Sequence, residues 1–312
     1  MASELATGAV PTARSSTGTA PRRRRPDDTK LALIFIAPAA IGFIVFLIWP
    51  LIRGIYLSFT KFNLLTPAEF NGLDNYRRML LDPVFWNALK VTVEYVVINI
   101  GVQTILALVI AVLMQRLTRS LVARGIILTP YLVSNVVAAL VMLWILDTGL
   151  GITNQLLGFI GIDPIGFFTD SKWVIPTIAM VNVWRYVGYT ALLIFAGLQT
   201  IPPGLYEAAR VDGASELSMF FRITMPLLRP ILALVLIISI IGSFQVFDTV
   251  SVTTQGGPVN ASRVLQYYIY DMAFGRFQFG YASTLAVALL VVLMVITFIQ
   301  YRMTRAGQTD LD

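Results

Sequence analysis

The chain has 312 residues, 57% of them apolar and only 13% charged, with a mean hydropathy of +0.76. Soluble globular chains run about 45–50% apolar and about 25% charged, so the composition excludes a soluble enzyme, a disordered chain and a fibrous repeat, and points to an integral membrane protein. Cys and His are both absent, which removes disulfides, zinc sites, Cys–His hydrolysis and histidine proton relays, and the net charge of +6 is expected to reflect membrane topology rather than nucleic-acid binding.

Residues 1–29 are rich in Ala, Thr, Ser, Pro and Arg, lack apolar periodicity and end near the run Arg22–Arg25. They read as a disordered cytoplasmic tail, a topology signal with affinity for anionic membrane lipid. The apolar run that follows is too long for a signal-peptide core of about 7–15 residues. Six stretches are long enough to cross about 30 Å of hydrocarbon as helices: approximately 31–58, 91–114, 126–146, 173–199, 227–250 and 281–301. Barrel strands would be about 10 residues of strict alternation, so the fold class is an all-α membrane protein with six transmembrane helices. The span domain covers 30–303, and 304–312 reads as a C-terminal cytoplasmic tail.

With the N-terminus inside, the cytoplasmic segments hold 14 Lys and Arg and the outer segments 8. Basic residues concentrate on the cytoplasmic side, and an even span count then leaves both termini cytoplasmic. Trp49, Trp86, Trp173 and Tyr301 fall close to predicted boundaries, where amphipathic rings prefer to lie. The loops 59–90, 147–172 and 251–280 are placed outside, and 115–125 and 200–226 inside. No internal repeat of the inverted-transporter kind is evident.

The 200–226 loop is orderly. Pro202-Pro203-Gly204 should end the fourth span, and Leu205–Val211 should form a helix with Glu207 in its first turn and Arg210 in its last, matching the helix dipole. Asp212-Gly213 signals a turn. A second helix is expected over Ala214–Ile223, with Pro226 and Pro230 marking entry to the fifth span. On composition alone such a helix–turn–helix also reads as an interfacial amphipathic element that seals the bundle.

Polar residues inside spans are expensive in lipid. Glu94, Asn99 and Gln103 fall in the second span, Asn182, Arg185, Tyr186 and Tyr189 in the fourth, and Ser243, Gln245 and Asp248 in the fifth. Flat aromatic faces with amide or carboxylate groups suit a sugar path. The structural alternative is that Glu94 and Asp248 reach water at outer ends and that Arg185 pairs with a neighbouring acid.

Glu207-Ala208-Ala209, then Gly213 after three residues, then Ile223-Thr224-Met225-Pro226 after nine more, resembles the EAA loop of bacterial ABC importer permeases. Met225 stands where that family usually has Leu. The flanks Ala196–Pro202 and Ala209–Ala214 resemble the carbohydrate branch. Gln245-Val246-Phe247-Asp248, Gly256-Gly257-Pro258, Ile269-Tyr270, Gly280–Ser283, Ala37-Pro38-Ala39 and Gly72–Tyr76 resemble the first, maltose- and glycerol-phosphate-type, permease of such importers. The likeness spans about residues 31–303.

The resemblance implies a methionine-importer-like permease core in a bacterial inner or plasma membrane. It implies four kinds of partner assembly: a second permease subunit, ATPase (nucleotide-binding) subunits, an extracytoplasmic solute-binding protein and the surrounding lipid. It also implies a coupling helix in which Tyr206, Glu207, Ala208, Ala209, Arg210, Asp212 and Gly213 engage the ATPase. It places Tyr186, Tyr189, Ser243, Phe244, Gln245 and Asp248 beside the substrate path for a mono-, di- or oligosaccharide. The sequence contains no GxxxxGK[ST] phosphate loop, so the chain is expected to be a transport subunit without cofactors of its own, with ATP and Mg bound by the partner ATPase. Glycerol-phosphate is the alternative cargo. With Arg53 and Arg229 counted to the flanking segments, Arg185 is the only basic residue inside a predicted span, which favours a neutral sugar. A stand-alone secondary transporter is the remaining alternative, and it would leave the EAA loop unexplained.

Overall fold

The computed structural model describes residues 28–117 and 120–305. The expected N-terminal tail, with its arginine run, and most of the expected C-terminal tail lie outside the described residues. Contacts divide the chain into a unit up to Leu51 and a larger one from Ile52 onward.

The first span is an apolar run of α1 (Asp28–Phe43), a π-helical turn (Ile44–Ile48) and α2 (Trp49–Ser58). Large side chains such as Phe35, Phe46 and Trp49 are exposed along it, as suits a helix turned toward lipid. The chain then makes a small antiparallel hairpin, β1 (Thr60–Lys61) with β2 (Glu69–Phe70), Thr60 opposite Phe70. This short ribbon lies outside the spans, and the fold is otherwise helical, as expected. A short helix, α3 (Asp74–Leu81), follows.

The second span, α4 (Pro83–Leu117), starts eight residues before the expected 91. The reason is local. Asp82 precedes Pro83, its Oδ1 accepts the Val84 N–H at 2.9 Å, and proline at the first helical position has no N–H to leave unpaired. The other carboxylate oxygen accepts the hydroxyls of Tyr268 at 2.5 Å and Tyr281 at 2.6 Å. Burial pushes the Asp82 carboxyl up, but these hydroxyls and the helix-start N–H groups outweigh it and hold it below its usual value. The Tyr268 phenol, buried beside that carboxylate, is pushed up to about 12. One carboxylate thus ties three segments that are distant in sequence.

The expected third span, 126–146, is not one helix. It is α5 (Leu121–Leu132) and α6 (Asn135–Ile145), which meet at 89°. Pro130 sits in the last turn of α5, and Val133 and Ser134 are extended. Proline removes one backbone bond from the final turn and the extended pair ends the helix. After α6 the chain runs through α7 (Ile152–Phe159), held by Asn154, which donates to the Ile165 carbonyl at 3.0 Å and accepts the Ile165 N–H at 2.9 Å.

The fourth span, α8 (Val174–Leu198), is the central helix, buried along most of its length. Its widest packing is against α4, where Ala107 and Ala111 are fully buried with Ala191 and Ile194. Small residues let helix backbones approach closely where lipid gives no hydrophobic drive between helices. α8 ends at Leu198. Pro202 and Pro203 do not terminate it but open α9 (Pro203–Val211).

Expected as a separate helix, Ala214–Ile223 is instead the beginning of the fifth span. α10 (Glu216–Met219) passes through a π-helical turn (Phe220–Thr224) into α11 (Met225–Phe244). Pro226 lies directly after the π-helical turn, and its missing N–H does not end the helix. The span breaks at Gln245–Phe247 and resumes as α12 (Asp248–Thr253). α13 (Leu265–Tyr270) and a third π-helical turn (Asp271–Gly275) lead to the last span, α14 (Phe279–Arg305). Among the described residues, five helical stretches are long and apolar enough to cross a membrane, and six if the bent pair is counted as one span.

Candidate functional site

A cavity of about 270 Å³ opens between α4, α5, α8 and α11, at the level where two spans break. Both breaks border it: Tyr131 and Asn135 flank the α5–α6 bend, and Gln245, Phe247 and Asp248 flank the α11–α12 break.

The bend is held by Arg185 of α8. Its Nε donates to the Val133 carbonyl at 2.9 Å and its Nη2 to the Tyr131 carbonyl at 3.3 Å, and the guanidinium lies 4.8 Å from the Tyr186 ring centre. The expected pairing with an acid is thus corrected: carbonyls freed by the helix break take the place of a carboxylate. Arg185 is 7% exposed. Gly188, one turn on, lets α5 lie directly on α8, since a Cβ there would overlap the Ile127 carbonyl oxygen. That close approach brings Tyr131 onto Tyr189, stacked at 4.6 Å and 10°, with Tyr186 edge-on at 5.7 Å. Three tyrosines therefore form one aromatic wall.

The facing wall is polar. Asn99 donates to the Ser243 hydroxyl at 3.0 Å, and Gln103 to the Thr190 hydroxyl at 2.8 Å. Asn182 donates to the Ile178 carbonyl at 3.0 Å and to Thr249 at 3.2 Å. Asn135 donates to the Asp248 carboxylate at 2.7 Å. The Oδ1 atoms of Asn99 and Asn135, two residues of the lining, are buried with no hydrogen-bond partner in the protein.

Of the residues expected beside a substrate path, Tyr186, Tyr189, Ser243, Gln245 and Asp248 line this cavity. Phe244 does not; it is 3% exposed and packs into the apolar core with Val246 and Val250. Asp248 opens α12, at the break that follows α11. Tyr131 and Asn135 were not singled out in the sequence, because a straight third span gives no reason to aim them at the fourth and fifth. The in-span polar pair Ser134-Asn135, four residues after Pro130, was the available signal. Glu94 is exposed on α4 and lies outside the cavity.

On the other side, α9 is a short helix between the fourth and fifth spans. It ends in a Schellman cap: the Gly213 N–H bonds the Arg210 carbonyl at 3.0 Å and the Ala214 N–H bonds the Ala209 carbonyl at 2.9 Å. Gly213 has φ +78°, which L side chains rarely adopt. Glu207 lies beyond the first turn of α9, which holds no acid, so the expected dipole pairing at that end is absent. Tyr206 turns inward and shares a 2.8 Å hydrogen bond with Thr224. Glu207, Ala208, Arg210 and Asp212 face outward, with Ala209 half-buried. Glu216 links this helix to the second span, bonding Arg116 at 2.6 Å and Arg210 at 3.4 Å. Val211 is 89% exposed, and Leu217 and Phe221 are also exposed.

Comparison with known proteins places this geometry in a family. Residues 103–306 match the family described as the binding-protein-dependent transport system inner membrane component. The chain is 34% identical to the sulfoquinovosyl glycerol transport system permease protein of Agrobacterium fabrum, over 89% of this chain and 91% of that one. It is also 34% identical to the lactose transport system permease protein of Rhizobium radiobacter, over 87% and 93%. It superposes with TM-score 0.78 and 25% identity on a chain of a bacterial ABC transporter involved in import of the acidic polysaccharide alginate, covering 91% of this chain and 97% of that one. The chain therefore belongs to the family of binding-protein-dependent transport system inner membrane components, as a multi-pass permease subunit.

Proposed function

We propose that this permease forms one half of the translocation path for a saccharide in an ATP-driven importer and receives the ATPase stroke through α9. The observation that carries the reading is the cavity itself: a three-tyrosine wall facing amides and a carboxylate, at the breaks of two spans. Sugar rings present apolar C–H faces and a rim of hydroxyls, and such a site offers a flat surface for the first and hydrogen-bond partners for the second. Discontinuous helices are where membrane transporters place cargo, because freed backbone groups can be satisfied there. Related chains named for lactose, trehalose/maltose and arabinooligosaccharides support the class.

The partners follow from the same reading. α9 presents Glu207, Ala208 and Arg210 to the cytoplasm, with both termini on that side, and docks on an ATPase subunit that supplies ATP and Mg. A second permease completes the path, and an extracytoplasmic binding protein delivers cargo; the related alginate transporter has been seen with a pentasaccharide-bound periplasmic protein. Closure of the ATPase pair would rotate the spans as rigid bodies, α9 acting as the lever. Glu216 transmits that movement to the second span through Arg116.

Mild-detergent purification from the native membrane tests the assembly. Recovery of an ATPase and a second permease, with ATP-dependent saccharide uptake after reconstitution, is the expected outcome. Recovery of this chain alone, with uptake that ignores ATP, would refute it. Tyr189→Ala removes one face of the stacked pair and should raise the saccharide concentration for half-maximal uptake about tenfold, leaving assembly intact.

A further inference from the structure

We propose that this chain's side of the path is an anion-excluding filter, built on Asp248, and that its cargo is an uncharged saccharide. The proposal rests on the saccharide reading above and goes beyond it, because the relatives include one named for sulfoquinovosyl glycerol transport and one involved in import of the acidic polysaccharide alginate.

The cavity lining holds a single charged residue among the described residues, and it is Asp248. Its carboxylate is met by the Asn135 amide, a neutral donor, at 2.7 Å. Among the described residues no Lys or Arg forms an ion pair with it. Arg185 gives its Nε and Nη2 donors to the Val133 and Tyr131 carbonyls and lies over the Tyr186 ring, while its Nη1 is buried without a partner. It is not part of the lining.

The neutral groups point the same way. Asn99 Oδ1 and Asn135 Oδ1 are buried acceptors without partners. Hydroxyl groups can donate to them, whereas a carboxylate, sulfonate or phosphate ester is acceptor-only and cannot. An acidic glycan would therefore bring a like charge toward Asp248, and only its hydroxyls, not its acid groups, could pair with the amide oxygens. A path selective for acidic glycans would need the reverse, a guanidinium or ammonium presented to the lumen.

The test uses the natural absence of cysteine. Gly242 lines the cavity, and a Cβ there meets nothing within 4 Å, so Gly242→Cys places one thiol in the lumen of the assembled importer. Its rates with a cationic and an anionic methanethiosulfonate of similar size are followed by the mass of this chain. Adding Asp248→Asn, which keeps an oxygen acceptor for Asn135, should lower the cation-to-anion rate ratio by about tenfold or more. A second variant, Gln245→Arg, sets a cation on an exposed part of the wall and should lower the ratio as well, which covers failure of the Asp248 variant to assemble. A change under about twofold in the assembled variants overturns the filter.

Uptake of matched pairs, lactose with lactobionate and maltose with maltobionate, forms the second arm. Uptake of an acidic member as fast as its neutral partner also overturns the proposal. A shifted rate ratio together with ATP-independent behaviour and no saccharide uptake would overturn the importer reading while the filter stands.

Discussion

Replacing Arg185 with Met should unlock the bend in the third span. Arg185 spans two carbonyls that the helix break leaves without intrahelical partners, at 2.9 and 3.3 Å, and it is 7% exposed. Hydrogen bonds from a charged donor contribute roughly 1.5–3 kcal/mol each. Met fills much of the stem volume and removes the desolvation cost of a buried cation, which offsets part of the loss. The net expectation is a destabilisation of about 2–4 kcal/mol, below the roughly 3–5 for breaking a buried ion pair, because no opposite charge is stranded. Unfolding of the purified chain by SDS titration, followed by circular dichroism, measures it. Arg185→Lys should recover less than half, since one ammonium cannot reproduce the two-pronged contact. An Arg185→Met chain within about 1 kcal/mol of wild type would refute the claim that the guanidinium holds the bend.

Gly188→Ala should be more severe than its single methyl suggests, at about 3 kcal/mol or more, because the added carbon meets the Ile127 backbone rather than a movable side chain; loss of the Tyr131–Tyr189 stack, read by tyrosine absorbance, should accompany it. The lowered Asp82 carboxyl contributes stability that is present above its ordinary value of 3.8 and is lost as pH falls through the folded value beneath it. Asp82→Asn should remove that acid-labile component, so thermal unfolding curves of wild type and variant should converge at low pH. Gly213→Val should cost about 1–2 kcal/mol at φ +78° and uncouple uptake from ATP turnover, while Gly213→Asn, better tolerated in that region, should stay coupled.

The six apolar stretches were legible because a membrane span demands about 20 residues of one character, and only their ends and their straightness went astray. Hydropathy averages registered Trp86, Asn87 and Lys90 as loop, yet the helix start is encoded in the pair Asp82-Pro83. An apolar count also carries no direction, so 126–146 read as one rod although Pro130 and the extended Val133-Ser134 turn it through 89°. That one omission hid Tyr131 and Asn135, one of the three rings of the aromatic wall and the partner of Asp248. The 200–226 loop fared better, because turn chemistry is local: Gly213 was readable as a turn and proved to be the left-handed residue of a Schellman cap. Its second helix was misjudged because Pro226 reads as a stop in isolation, whereas the helix runs on past it from α10 through the π-helical turn.

Why the spans break where they do follows from the backbone. A helix interrupted in hydrocarbon exposes N–H and C=O groups at a cost of several kcal/mol each unless protein or enclosed water satisfies them. At the first break two of those carbonyls are taken by Arg185. At the second, the Gln245 and Val246 N–H groups fold back onto the Gly242 and Ser243 carbonyls at 3.2 Å. The two breaks then join across the cavity through the Asn135–Asp248 bond, which pairs the first residue of α6 with the first of α12. Any movement of α11, which runs on from α10 through the π-helical turn, must stretch that bond or carry α6 along. The residue that sets the charge of the path is thus also the one that links its two hinged spans, so charge selection and opening act through the same side chain.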